Sequence, residues 1–318
     1  MSLSEQKAVG VLALNPAVDV SYEIPQLLAD RKVRAGKSWF HPGGNGINVS
    51  RGLAELGVDV HCCSVTGGES GDLLLRLLGD TLEPNHNHFR VQGETRLNAT
   101  LLQQNPPSQY EVDSTGPEIP ADVLEDVTAC LLNSCREGIA VLTGSTPPGV
   151  PQDIYRRLAE EVKSQGGRAV VDAHGPVLLE ALKAQPYLLR LNQYVLEMAT
   201  NRRLENTEAI ARTAREIQNG GVTLICISLG QKGAVLVDEA NSYHCTAPRV
   251  HVQSTVGCGD SLVAGLVAAA LSGYRPESML QHGILCGSAT ASHPGTELFS
   301  RAEVEDSSHE LELTALDI

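Results

Sequence analysis

The segment Ser254-Thr255-Val256-Gly257-Cys258-Gly259-Asp260-Ser261 constrains this chain more than any other stretch of it. Two glycines stand just before an acid, and a run of small apolar residues follows from Leu262 to Ala270. That order predicts a tight glycine loop opening a buried helix. Free N–H groups at a helix start bind anions, and glycines let a phosphate come close to the backbone. A carboxylate is a poor partner for the same phosphate, so Asp260 reads better as a base beside the anion than as a ligand for it. On this segment alone, a simple first-turn Asp stabilised by the helix dipole stands equally open.

Short apolar runs at 9–14, 139–143, 168–172, 224–229 and 233–237 read as buried parallel strands. Helical spacing fills 47–56, 69–79, 151–164, 207–218, 260–272 and 276–291. This alternation predicts an α/β fold, a doubly wound and mostly parallel sheet flanked by helices, with ligands at the carboxyl ends of the strands. Residues 18–40 and 95–113 instead alternate polar with β-branched or aromatic residues. They predict a small antiparallel sheet projecting as a lid from a single domain spanning 1–318. The acidic tail from about 302 is expected to cover one edge.

Lys and Arg total 24 against 38 Asp and Glu, a formal charge of -14. Such a chain has no general attraction for nucleic acid or anionic lipid. A phosphorylated ligand must therefore be held by a few local cations and backbone amides. No apolar stretch is long enough to span a membrane, and Met1–Lys7 is polar with no secretory core. Eight scattered cysteines without a Cys-x-x-Cys pair fit a reduced cytoplasm. His86 and His88 read as a solvated turn rather than as metal ligands.

A second glycine cluster, His41 to Gly52, precedes a helix with Gly57 as its C′ residue. The dinucleotide fingerprint fails at Val49, and a P-loop ending at Gly36-Lys37-Ser38 fails at Arg31. What remains is a glycine turn that admits a ligand to the backbone, with Asn48 offering donor and acceptor to sugar hydroxyls. Asp19 closes the first predicted strand, where a binding carboxylate or a turn-capping Asp both fit. Gly144–Gly149 and Ser228–Gly233 supply loops at the same sheet edge.

Taken jointly, Gly43-Gly44-Asn45-Gly46-Ile47-Asn48 and Thr255–Ser261 resemble the ribokinase-like, phosphofructokinase-B sugar kinases, over about residues 8–300. Leu14–Asp19 and Thr95–Asn98 point to the hexose-phosphate branch: 1-phosphofructokinase, tagatose-6-phosphate kinase and the minor 6-phosphofructokinase. The resemblance implies Asp260 as base, with the amides of Gly257, Cys258 and Gly259 as the anion hole. It implies that Asp19, Gly43, Gly44 and Asn48 hold the sugar, while Lys32, Arg96 and Ser145 meet its phosphate. Asn192, Ser228, Gly230 and Thr255 would lie along ATP, with Mg²⁺ between the phosphates. Lid strands of this family often pair between subunits, so a homodimer is expected.

Two departures stand out. Cys258 occupies a position that is usually alanine. The segment Arg190-Leu191-Asn192-Gln193-Tyr194-Val195 stands where relatives read Lys-Pro-Asn-x-x-Glu, and Val195 cannot organise Mg²⁺ and its waters as that Glu does. Glu197 is near, but two helical residues move it about 200° around the axis. A weakened Mg²⁺ dependence follows as an expectation. The rival readings are a kinase for a free sugar or nucleoside, and a non-catalytic relative that binds sugar phosphate or nucleotide.

Overall fold

The computed structural model describes residues 8–306 and 311–318. The polar opening 1–7 and part of the acidic tail lie outside the described residues.

The chain begins with β1 (Val9–Ala13), β2 (Ala17–Ile24) and β3 (Lys37–Gly43), then α1 (Asn45–Glu55), β4 (Val60–Gly67) and α2 (Gly68–Leu78). Strands β5 (His86–Val91), β6 (Arg96–Gln104) and β7 (Pro107–Val112) lead to α3 (Ala121–Ser134). There follow β8 (Ile139–Thr143), α4 (Ile154–Ser164), β9 (Arg168–Asp172), α5 (Gly175–Leu182), β10 (Leu188–Asn192), α6 (Gln193–Thr200) and α7 (Thr207–Gln218). The last part holds β11 (Leu224–Ser228), β12 (Ala234–Val237), β13 (Ser242–Cys245), α8 (Cys258–Leu271), α9 (Pro276–Ala291), α10 (Arg301–Glu305) and β14 (Leu313–Ala315).

Among the described residues the main sheet has ten strands in the order β14-β13-β12-β11-β10-β9-β8-β1-β4-β5. From β5 to β11 neighbouring strands run parallel. Helices cover both faces, which is why β1 and β8 are buried at every position and read as unbroken apolar runs. Val9 and Val11 pack toward Val49, Leu53 and the α8–α9 side, whereas Leu12 and Leu14 pack toward α3 and α4. The tail does cover an edge, since β14 pairs with β13.

Helix α8 is buried nearly all round because α1 and α9 flank it closely. A Cβ on Gly52 would lie 2.9 Å from that of Ala264, and one on Gly265 would lie 2.8 Å from Cα of Gly283. The run of small residues after Asp260 is thus a packing requirement, and it fixes the axis along which the glycine loop points.

Three expectations are corrected. The segment 233–237 is not a parallel strand: β12 runs antiparallel to β11, because the three-residue turn Gly230–Lys232 leaves no room for a crossover. The projecting sheet is mixed, in the order β3-β2-β6-β7, with β2 and β6 parallel and the other pairs antiparallel. Both of these strands leave the main body outward, and the chain returns through the main sheet between them. His86 and His88 lie on β5 rather than in a turn, and a hydrogen bond of 2.8 Å links His86 Nε2 to Ser64 Oγ.

Candidate active site

The carboxyl ends of β1, β8, β9, β10 and β11 bring Asp19, Ser145, Asp172, Asn192 and Ser228 to one sheet edge, the place an α/β sheet offers a ligand. Helices α1 and α8 start at the same edge. Gly44 caps α1 with φ +86°, and a Cβ there would lie 2.8 Å from Cα of Pro16. Gly257 caps α8 with φ +81°. Both positions need the left-handed backbone that only glycine adopts freely.

Asp260 lies in the first turn of α8 and is buried. Asn45 Nδ2 donates to its Oδ1 at 2.8 Å and Asn48 Nδ2 to its Oδ2 at 2.9 Å. Burial is the main cause that pushes its carboxyl up to about 7, with the like charge of Asp172 adding to it. The two asparagines and Arg190 oppose that rise. A carboxyl poised there accepts a proton near neutral pH.

Arg190 lies directly under the loop. A Cβ on Gly259 would be 2.5 Å from its Nη2, so the second loop glycine is what lets the backbone rest on the guanidinium. Its Nη1 pairs with Asp172 at 3.3 Å and its Nη2 donates to Ser228 Oγ at 2.9 Å. The Ser228 hydroxyl therefore already holds the partly buried cation. The loop is also clasped from above: Gln109 of β7 donates from Nε2 to Thr255 Oγ1 at 2.9 Å, and its Oε1 accepts from the Thr255 N–H at 3.2 Å. A lid strand thus touches the segment that opens α8.

On the other side of Asp260, the buried Asp19 accepts from Asn98 Nδ2 at 3.0 Å and from Thr296 Oγ1 at 2.9 Å. Burial raises its pKa, and those two donors act against the rise. Gly43 must be glycine because a Cβ would fall 2.1 Å from Asp19 Oδ2. Asn15 joins two of the three expected phosphate contacts. Its Nδ2 donates to Ser145 Oγ at 2.9 Å, and its carbonyl accepts from Arg96 Nε at 3.1 Å.

A model of the pfkB family carbohydrate kinases matches residues 9–302. The chain belongs to this family. It is 32% identical over 296 residues to the ATP-dependent 6-phosphofructokinase isozyme 2 of Escherichia coli K12, across 92% of this chain and 96% of that one. It is likewise 32% identical to the 1-phosphofructokinase of Bacillus subtilis, across 91% and 94%. A crystal structure of E. coli phosphofructokinase-2 in complex with substrates and products matches with a TM-score of 0.86 at 32% identity, covering 93% of this chain and 97% of that one. Arabidopsis thaliana ribokinase, solved with ribose and ATP, matches with a TM-score of 0.75 at 21% identity and covers 94% and 97%, a likeness of fold. As a pfkB carbohydrate kinase, the chain is a phosphotransferase with an alcohol acceptor.

Within the pfkB fold, some expected residues gather and others stand apart. Asp19, Gly43, Gly44, Asn48 and Asp260 form one continuous hydrogen-bonded or packed group. Asn192 Oδ1 accepts from the Val195 N–H at 2.8 Å and caps α6. Gly230 has φ +60° and open space around it. Lys32 sits exposed in the 25–36 loop at the outer end of β2, whereas Arg96 pairs with Ala17 at the inner end. Val195 packs against the core, and Glu197 Oε1 accepts from Leu204 N at 2.9 Å and from Gln193 Nε2 at 3.1 Å. Among the described residues no group of three His, Cys, Asp or Glu is placed to hold a metal ion.

Asn45, Asn15, Gln109 and the Asp172–Arg190 pair were not singled out from sequence. Asn45 lies inside the quoted glycine cluster, and Arg190 interrupts an apolar run that is otherwise strand-like. Those were the available signals.

Proposed function

We propose that this chain transfers the γ-phosphoryl group of ATP to a hydroxyl of a ketohexose phosphate: fructose 1-phosphate, fructose 6-phosphate or tagatose 6-phosphate. The observation that carries this reading is the Asp260 carboxylate, held by Asn45 and Asn48 at the mouth of the glycine loop. The names of the relatives agree with it.

Asp260 accepts the proton of the sugar hydroxyl as its oxygen bonds to the γ-phosphorus and the bond to the ADP oxygen breaks. The amides of Gly257, Cys258 and Gly259 would meet the transferring group, with the helix dipole behind them; the Cys258 N–H donates to the Thr255 carbonyl at 3.4 Å in this state. The partly buried Arg190 supplies fixed positive charge beneath. Mg²⁺, when bound with ATP, neutralises phosphate charge. Asn192, Ser228, Gly230 and Thr255 border the nucleotide side. Asp19, Gly43, Gly44 and Asn48 hold the sugar, and Arg96 with Ser145 meets its phosphate. Lys32, the third expected phosphate contact, is exposed in the loop between β2 and β3. Water is kept out by the lid, which prevents hydrolysis from competing.

The lid register supports a homodimer. Asp19, Asn98, Gln109 and Glu111 share the site-facing side, and the alternation leaves Phe40, Leu97, Tyr110 and Val112 exposed on the other. An apolar face of that kind suits a second copy. A cytoplasmic location agrees with eight free cysteines, and no helix among the described residues is long and apolar enough to cross a membrane.

ADP release from Mg-ATP, measured with the three sugar phosphates and with fructose, ribose and adenosine as controls, tests the proposal. Turnover on a sugar phosphate supports it. Turnover only on a free sugar or nucleoside removes the phosphate role of Arg96, and silence from folded protein selects a non-catalytic binder.

A further inference from the structure

Cys63 and Cys130 lie 67 residues apart in sequence, and their sulfurs are 2.9 Å apart. Cys63 is on β4 and Cys130 on α3, where the helix packs against the strand. A disulfide bond is about 2.0 Å long, so less than an ångström of approach separates the two thiols from bonding. The neighbouring Cys62 does not compete. Successive strand residues point to opposite faces, and Cys62 packs with Val18 and Leu74 on the other side of β4. Cys130 is half-buried, whereas Cys63 is fully buried.

We propose that Cys63 and Cys130 form a modification site, a dithiol that closes to a disulfide by exchange with a low-molecular-weight disulfide RSSR. The Cys130 thiolate attacks one sulfur of RSSR, giving a mixed disulfide and expelling RS⁻. The Cys63 thiolate then attacks the Cys130 sulfur, forming the protein disulfide and expelling the second RS⁻. Both cysteine protons end on the two RSH released, so the protein loses two electrons and RSSR gains them. Burial pushes the Cys63 thiol above its ordinary range, which makes the second step depend on the contact already present. The chain between the two cysteines contains β6 and β7, so the bond ties down the connection that carries half of the lid. Closing so long a loop restricts the unfolded chain and raises thermal stability.

The test treats the native full-length protein with oxidised glutathione and, separately, with the smaller cystamine, followed by intact mass and peptide mapping. The expected result is a mass lower by two hydrogens, one cross-linked peptide pair containing Cys63 and Cys130, and a Tm raised by several degrees and restored by dithiothreitol. Cys130→Ser abolishes the cross-link while Cys62→Ser retains it. A protein that stays at its dithiol mass with both reagents, stops at a mixed disulfide on Cys130, or cross-links through other cysteines overturns the proposal.

Discussion

Asn45 and Asp260 are separated by 215 residues, yet Asn45 Nδ2 donates to Asp260 Oδ1 at 2.8 Å. With Asn48 on the second oxygen, the starts of α1 and α8 meet at one carboxylate. Each donor favours the ionised form. A hydrogen bond to a charged group contributes roughly 1.5 kcal/mol, about one pKa unit. Asn45→Ala should move the acid limb of the kcat profile up by about one unit, with a several-fold loss at pH 7. An unmoved limb would separate Asn45 from proton transfer.

The same carboxylate makes stability depend on pH. Burial raises the folded-state pKa of Asp260 to about 7 from the ordinary 3.8, so the folded chain holds the proton more tightly than the unfolded one. Its contribution is therefore fully present below about pH 3.8 and is lost as pH rises through about 7. Asp260→Asn removes the buried charge, and should raise Tm at pH 8 more than at pH 5.5. An equal change at both pH values would contradict the burial argument.

Gln109 links the lid to Thr255, on the side proposed for the nucleotide, through both atoms of its amide. If the lid orders Thr255, Gln109→Ala should raise KM for ATP by about 3- to 10-fold, the scale of one or two net hydrogen bonds. Steady-state kinetics with saturating sugar phosphate check this. KM unchanged for ATP would leave the contact as lid packing only.

Arg96 is buried and holds the Asn15 carbonyl, so its removal has two effects. Arg96→Ala should raise KM for a sugar phosphate by about 10- to 100-fold, the scale of charge-assisted bonds, with KM for ATP within about twofold. It should also lower Tm, because Asn15 would lose its partner beside Ser145. Equal effects on both substrates would count against a phosphate contact.

The parts of the site that sequence revealed are those whose chemistry is contiguous. Gly257, Gly259 and Asp260 fall within four residues and are followed by an apolar run that only a buried helix explains. The role of Arg190 is not legible in sequence, because its partners, Asp172 and Ser228, come from separate strands and meet it only in the sheet. Strands β4 and β5 escaped notice for another reason. Buried Ser64 and Thr66, and polar His86, Asn87 and His88, break the apolar pattern that marks a strand. The parallel β2–β6 pairing was likewise hidden, because alternation gives a face but not a direction.

The role of Asp260 is tested most directly by Asp260→Asn, with ADP release and ligand binding measured on the same sample. The account predicts a fall in kcat of about 10²- to 10⁴-fold, while sugar phosphate and ATP still bind and still raise Tm. Turnover within a few-fold of the unmodified chain, from equally folded protein, would contradict it.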